Sequence, residues 1–456
     1  MSGRVRGVRG IAGIFFAIAL LVSAPAWAAG NEKVAVFVER DIVSGDFDTG
    51  SDIAKSRRQG LKDFYASRSY KPVWSRDSGP KGKAKALFGE LRTSVVHGLS
   101  PEFYEIGKIA ALMKSREPED LARLDMLMTG ALVDFVHDLI NGRMAGDRDS
   151  KWNAVPPRLF SPAELVDGAA KAGNLRKYVL SVIGEDRRYV RLIAKLTDLQ
   201  RLPTSSFWPK GKIADTPVKR GGKSKSIIAI RNKLALLGDL ALEEMNGSMV
   251  LNKALSDGIK NYQQRHGAEP TGVVDAALIK LLNRPITSRA TQIKINLDRR
   301  RWQNRALAER SLYLNMADGS LKVSVKDKTA GLLAVNVDPI HREVPTQFAQ
   351  LTGLAAAPGG GIELQVSGTN IERGFVVSKR SLESNLAGLK RVLSAPDGAK
   401  LEAVLAGAEA TTFNEPVEFY ITYLTAWATR DGRANYRPDV FERDPQIAER
   451  LGLKGL

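Results

Sequence analysis

The spacing of apolar residues changes from a helical period to a strand period near residue 310, and this change limits the folds open to the chain. Upstream, apolar residues recur three and four positions apart, as at Leu61 and Tyr65, which is typical of one helix face. Downstream, from Leu312 onward, apolar residues alternate with others on both sides of Asp318-Gly319, which predicts a hairpin. We therefore expect a multidomain α+β protein that is helical first and mostly β afterwards.

The length of 456 residues exceeds what one core accommodates, because a domain has roughly 100–200 residues. Composition and pattern predict a signal peptide over 1–28, a flexible lead-in over 29–57, an all-α domain over 58–203, a basic linker over 204–226, a three-helix module over 227–283 and a β-rich domain over 284–456. One helical stretch is expected from Leu382 to Leu405 within the last domain.

The first residues have the pattern of a secretory signal peptide. Arginines at 4, 6 and 9 precede an apolar run over 11–22, and Ala26-Trp27-Ala28 then provides a small-x-small cleavage pattern. The run is shorter than the 20 or so residues that span a bilayer, although an uncleaved anchor is the alternative. Nothing later reaches spanning length, so we expect a mature chain outside the cytoplasm with no transmembrane helix.

The charge balance is strongly basic. The net charge is +18, and removing the three signal-peptide arginines leaves +15. An exported protein of this charge is expected to adhere to anionic wall and lipid surfaces, although solubility alone is an alternative. The basic linker has no aromatic ladder beside its lysines, so no nucleic-acid partner is expected.

The absence of cysteine excludes disulfides, thiolate zinc sites and thiol nucleophiles. The four histidines, His97, His137, His266 and His341, do not fall at a metal-ligand spacing. We therefore expect no metal site and no cofactor.

Four segments together resemble the large, scaffold-type L,D-transpeptidases of Gram-negative envelopes. They are "FYASRSYKPVW" at Phe64–Trp74, "HGLSPEFY" at His97–Tyr104, "INLDRRRW" at Ile295–Trp302 and the C-terminal segment Tyr420–Asp444. The resemblance implies an α-helical scaffold domain, a three-helix peptidoglycan-binding module and a mostly-β YkuD-type catalytic domain. It also implies a periplasmic, wall-associated protein.

The predicted module is similar to the family's peptidoglycan-binding module. Tyr262-Gln263, His266-Gly267, Thr271-Gly272, Asp275 and Leu282-Asn283 stand at its signature places. We interpret Tyr262, His266 and Gly272 as packing and turn residues. The resemblance makes Gln263, Arg265 and Thr271 the candidates for contacts with sugar or peptide.

The family's catalytic residues are replaced. Its chemistry needs a "SHGCxR" segment, in which a histidine activates the cysteine thiolate. By the resemblance, Arg373 stands at the histidine position, Gly374 is retained, Phe375 stands at the cysteine position and Val377 at the arginine position. Ser367 replaces the histidine of the upstream "HGT". We expect Phe375 to be buried as apolar bulk.

The stretch between Val344 and Gln365 is also too short for the family's substrate lid. These losses predict a non-catalytic peptidoglycan-binding protein that scaffolds or modulates active wall-synthesis enzymes. One alternative is an active peptidoglycan-modifying enzyme with a non-cysteine nucleophile, for which Ser367 or Ser378 with His341 is the candidate set. The other is a structural envelope protein that binds only proteins.

Overall fold

A computed structural model of the protein describes residues 30–45, 54–143, 154–184, 186–214, 216–303, 305–337, 346–368, 375–429, 431–437 and 451. The first half is mostly helical and the C-terminal region is β-rich, so the expected mixture of helical and β regions is confirmed. The predicted signal peptide lies outside the described residues. Within them, no helix combines the length and apolarity needed to cross a membrane.

The first region is helical apart from one short hairpin. Its elements are α1 (Glu32–Ser44), α2 (Ala54–Ser67), β1 (Ser75–Arg76), β2 (Gly79–Pro80), α3 (Gly82–Arg92), α4 (Ile106–Leu112), α5 (Pro118–Asn141), α6 (Pro162–Lys171), α7 (Leu175–Ile183) and α8 (Arg187–Arg201). Helix α5 forms the centre, and most of its side chains are buried against its neighbours. Pro118 opens α5 and Glu119 and Asp120 lie in its first turn, where a missing N–H and negative charge are both favourable.

The prediction of a flexible lead-in over 29–57 is wrong for Glu32–Ser44, which form α1. Val34, Val38 and Ile42 recur every four residues and are buried in the same core as α5. Four-residue spacing places them on one face of a helix, so burial of that face stabilises α1. Gly45 ends the helix in the left-handed conformation.

The segment "FYASRSYKPVW" supplies hydrogen-bond donors to Asp125 of α5. The buried Asp125 carboxylate accepts hydrogen bonds from the backbone amides of Val73 (2.8 Å), Trp74 (2.6 Å) and Ser75 (2.8 Å), and from the Tyr65 hydroxyl (2.8 Å). A buried carboxylate needs several donors to offset its desolvation. The segment is therefore a structural feature of the helical core.

The middle region contains α9 (Ser226–Leu237), α10 (Lys253–Arg265) and α11 (Ala276–Leu282), as predicted. The prediction of an exposed linker over 204–226 is wrong for Ile213 and Val218, which are buried in the module's core. The Ile213 amide and carbonyl both bond the Asn283 side chain at 2.8 Å, and Val218 forms a β-bridge with Val274.

The C-terminal region consists of one long helix and a closed barrel with flanking elements. They are α12 (Ile286–Trp302), β3 (Arg310–Asn315), β4 (Ser320–Val325), β5 (Lys328–Asn336), β6 (Gln347–Ala357), β7 (Gly361–Ser367), β8 (Phe375–Val377), α13 (Lys379–Lys390), α14 (Ala395–Leu405), β9 (Ala410–Thr422), β10 (Ala426–Ala428) and β11 (Ala434–Tyr436). The barrel order is β3-β4-β5-β8-β7-β6-β9, closed by the parallel pair β3–β9.

The turn and helices predicted for this region are mostly confirmed. The predicted Asp318-Gly319 turn joins β3 to β4, and Gly319 has φ of 67°. The helix expected from Leu382 to Leu405 is two helices, and the Ser394 hydroxyl caps the second, α14, by accepting a hydrogen bond from the Asp397 amide. Residues 346–368, where the resemblance expects part of the lid, form the β6–β7 hairpin with a three-residue connection.

Candidate functional site

Phe375, the residue that the resemblance aligns with the family's cysteine, lies inside the barrel. Its side chain is 1% exposed, and its ring stacks on that of Phe419, with centroids 5.8 Å apart and planes 15° apart. Strand β8 pairs with β7 at Leu364 and places Phe375 in the barrel core. The expected burial of Phe375 is confirmed, and the position holds a packing group.

The other degenerate positions fall in different environments. Val377 is fully buried and pairs with Ile362 and Val335. Arg373 and Gly374 lie outside the described residues. Ser367 is exposed at the end of β7.

Of the alternative Ser–His set, the two serines are among the described residues. His341 lies outside the described residues, so its distance from either serine stays a prediction. Ser378 is the N-cap of α13 and accepts a hydrogen bond from the Ser381 amide at 3.4 Å. This contact satisfies one of the free amides that begin a helix.

Ser367 opens onto a surface groove of about 600 Å³ at one end of the barrel. We call it the Ser367 groove; its lining includes Arg305, Arg310, Phe348, Gln350, Ser367 and Glu418. The Arg305 guanidinium lies 3.7 Å from the centroid of the Phe348 ring and 2.6 Å from a Glu418 oxygen. The other Glu418 oxygen accepts from the Ala308 amide at 2.7 Å.

This arrangement suits recognition better than proton transfer. An arginine stacked on an aromatic ring provides a planar polar surface for a ligand. The Glu418 carboxylate is already held by two donors, the Arg305 guanidinium and the Ala308 amide. Among the described residues that line the groove, no histidine stands beside Ser367 to act as its base.

The three residues assigned to wall contacts in the module are not all on its surface. Gln263 is 2% exposed; its amide donates to the Thr271 hydroxyl at 2.8 Å and accepts from the Gly272 amide at 2.9 Å. These bonds hold the turn at Gly272 (φ 71°) against α10. Thr271 is exposed and remains a predicted contact.

Arg265 is also buried, at 7% exposed. It donates to Asp239 at 2.5 Å and to the Ala434 carbonyl of β11 at 2.6 Å. Assigning Gln263 and Arg265 to ligand contacts was therefore wrong, because both side chains already bond within the protein. Sequence spacing alone did not reveal that β11 covers this face of the module.

Tyr262 and His266 pack as interpreted from the sequence. The His266 ring lies 3.9 Å from the Tyr262 ring and 5.1 Å from the Tyr436 ring, centroid to centroid. Burial, together with Arg289 and Arg265, lowers the pKa of His266 well below its usual value. This histidine is therefore neutral at physiological pH and belongs to the contact between the module and β11.

The sequence reading missed the burial of three consecutive arginines on α12. Arg299, Arg300 and Arg301 are 1%, 9% and 4% exposed. Arg301 donates to the Tyr189 hydroxyl at 2.8 Å and to the His97 carbonyl. Successive helical residues point about 100° apart, so three in a row spread over about 200° of the helix, and a helix packed on more than one side buries part of that arc. That geometry was the available signal.

Residues 59–196 match the family model described as a scaffold domain. The matched segment lies within the helical region predicted over 58–203. No curated protein matches the chain.

Proposed function

We propose that this protein is an exported, non-catalytic relative of the scaffold-type L,D-transpeptidases that binds peptidoglycan in the periplasm. In this proposal the mature chain scaffolds or modulates active wall-synthesis enzymes. Support comes from the signal-peptide pattern, the four family-like segments, the scaffold-domain match and the basic charge.

The observation that carries the non-catalytic part is the position of Phe375. Acyl transfer by this family requires a thiolate that reaches its substrate. The chain has no cysteine, and the residue at that position is 1% exposed in the barrel core. A cysteine introduced at position 375 would therefore lie among apolar groups and not beside a substrate.

The Ser367 groove is the proposed wall-contact surface. It includes Ser367, one of the replaced positions, and has room for part of a stem peptide, since ligand sites commonly measure about 300–1,000 Å³. Its charges are suited to a zwitterionic peptide, because Arg305 and Glu418 can each bond a group of opposite charge. Phe348 adds an aromatic face beside them.

The test is co-sedimentation of the mature chain with purified sacculi at physiological and high salt, followed by analysis of the muropeptides. Binding that survives high salt with unchanged muropeptides is the expected result. Binding that disappears at high salt reduces the interaction to charge. A changed cross-link pattern would identify an enzyme and overturn the non-catalytic assignment.

The groove is tested separately, using the fact that the chain has no cysteine. A bulky maleimide polymer attached to a Ser367→Cys variant should weaken sacculus binding. The matched control carries the same polymer on Ser384→Cys, an exposed position of α13 outside the groove. Equal binding by both labelled proteins would reject the groove as the contact surface while leaving wall binding itself intact.

A further inference from the structure

A second cavity of about 530 Å³ lies between the helical region and the barrel. Its barrel side is the outer face of the β3–β4 hairpin, where Ser311 pairs with Ser324 and Tyr313 pairs with Lys322. The start of α8 and the end of α12 form the opposite walls. We call this space the cationic cavity.

The charges of the cationic cavity are unbalanced. Its lining contains six cations and two carboxylates: Arg158, Arg188, Arg300, Arg301, Arg305 and Lys322 against Asp186 and Asp327. Asp186 pairs with Arg300 and also caps α8. Arg301 is held by Asp298, Tyr189 and His97. One of the two carboxylates in the lining is therefore already paired with an arginine.

Three of these cations have no ion pair among the described residues: Arg158, which is exposed, and the half-buried Arg188 and Lys322. Within the described residues, neither the Arg188 guanidinium nor the Lys322 ammonium lies within salt-bridge distance of a carboxylate. Arg188 stacks over the Tyr313 ring at 5.5 Å, and both side chains are half-buried. Partial burial without a counterion is unfavourable, and a bound anion would remove this cost.

The electrostatics of Lys322 agree with this geometry. Burial lowers its pKa first, and the positive charges of Arg188 and Arg300 lower it further, against the opposing effect of Asp327. The three cations also line an adjoining cavity of about 190 Å³. Polar atoms around them are incompletely bonded, since the buried Ser311 and Ser324 hydroxyls have no hydrogen-bond partner.

The helices α5, α7 and α8 also contribute apolar side chains to the lining. These are Leu139, Ile140, Leu180, Ile183, Val190 and Ile193. Leu180 and Val190 are 45% and 60% exposed, so apolar surface extends to the outside. A ligand that fills this space therefore needs an apolar body as well as a negative head.

We propose that the cationic cavity binds a small molecule with a carboxylate or phosphate head and an apolar body, with the head between Arg188 and Lys322. The volume lies in the range typical of small-molecule sites. Arg305 borders both this cavity and the Ser367 groove, but of these two spaces Arg188 and Lys322 line only the cavity, so the proposal does not depend on wall binding.

The experiment is isothermal titration of the full mature chain at fixed ionic strength with monomeric octyl phosphate, inorganic phosphate and octanol. Octyl phosphate should bind, and each of the other two probes should bind at least about tenfold more weakly, because inorganic phosphate lacks the apolar body and octanol lacks the negative head. Vesicles containing phosphatidic acid test a lipid source for the same head group. Vesicle binding that competes with octyl phosphate assigns a membrane lipid, and its absence assigns a soluble ligand.

The variants separate a specific site from general charge. Arg188→Gln with Lys322→Gln should weaken octyl phosphate binding at least about tenfold, since each lost charged contact is large. Arg187→Gln with Lys328→Gln removes the same charge from exposed positions outside the lining and should change affinity less than about twofold. Equal loss in both pairs would overturn the proposal.

A steric variant covers the case in which the charge variants fold poorly. Val190→Trp fills the exposed mouth of the cavity and should block octyl phosphate. Val36→Trp, on α1 at 62% exposed, is its matched control. Undiminished binding by V190W, or no binding of octyl phosphate by the native protein, would also overturn the proposal.

Discussion

Truncation of Phe375 should strongly destabilise the barrel, because the ring is a core group and not part of an open cleft. Removing a buried phenyl ring typically costs about 3–5 kcal/mol, and the stacked partner Phe419, 5.8 Å away, is left beside the cavity. Phe375→Leu keeps most of the volume and should cost about 1 kcal/mol. The difference between the two variants measures how much volume the core requires.

The assay uses a single introduced thiol, which the absence of native cysteine makes specific. A Phe375→Cys variant should resist maleimide in native buffer and react as urea unfolds the barrel. Ser367→Cys, exposed at the end of β7, is the control and should react at once. The urea concentration at which the F375C thiol reacts reports the stability of the barrel without assuming that the whole chain unfolds in one step.

One result would refute the reasoning. If the F375C thiol reacted in native buffer as fast as the S367C thiol, position 375 would open to the surface. The claim that the family's nucleophile position is closed would then fail. A Phe375→Ala variant as stable as the native protein would lead to the same conclusion.

Three further perturbations test the structure. Asp125→Ala leaves several buried donors without an acceptor and should cost at least about 4 kcal/mol in urea unfolding, whereas a loss under about 1 kcal/mol would contradict the network. Burial, with neighbouring arginines, lowers the pKa of His97 to about 3 and lowers that of His266 well below its usual value. The stability that these neutral, buried histidines contribute is therefore complete above about pH 6.5 and should be lost as pH falls, by up to about 1.4 kcal/mol per pH unit for each. His97→Gln should flatten the dependence of stability on pH, measured by urea unfolding, and a flat dependence in the native protein would contradict the reasoning. Gln263→Ala frees the Gly272 amide and should cost about 1–3 kcal/mol without changing sacculus binding by the folded protein, so a selective loss of binding would return Gln263 to the ligand contacts.

The elements predicted well from the sequence depend on interactions between near neighbours. The Asp318-Gly319 turn needs one left-handed residue, and Gly319 provides it. Asp275 caps α11 by accepting from the Leu278 amide, three residues away, at 2.8 Å. Such contacts can be predicted from composition and spacing because both partners stand within one turn.

The missed helix α1 shows a weaker form of the same signal. Val34, Val38 and Ile42 have helical spacing, but the continuous apolar run over 34–38 obscured it. The helix depends on a core contributed mainly by α5, far along the chain. Tertiary packing supplies most of the stability of short helices in proteins, so the local sequence pattern did not predict α1.

The amino-acid sequence alone was sufficient to establish the change from helices to strands and the absence of a thiol nucleophile. Tertiary structure decided which polar residues remain available for ligands. Arg265 bonds Ala434, 169 positions away, and Arg188 and Lys322 meet in one cavity although they lie on a helix and a strand of different regions. Burial and charge pairing depend on segments distant in sequence, and no local pattern specifies which of them will come together.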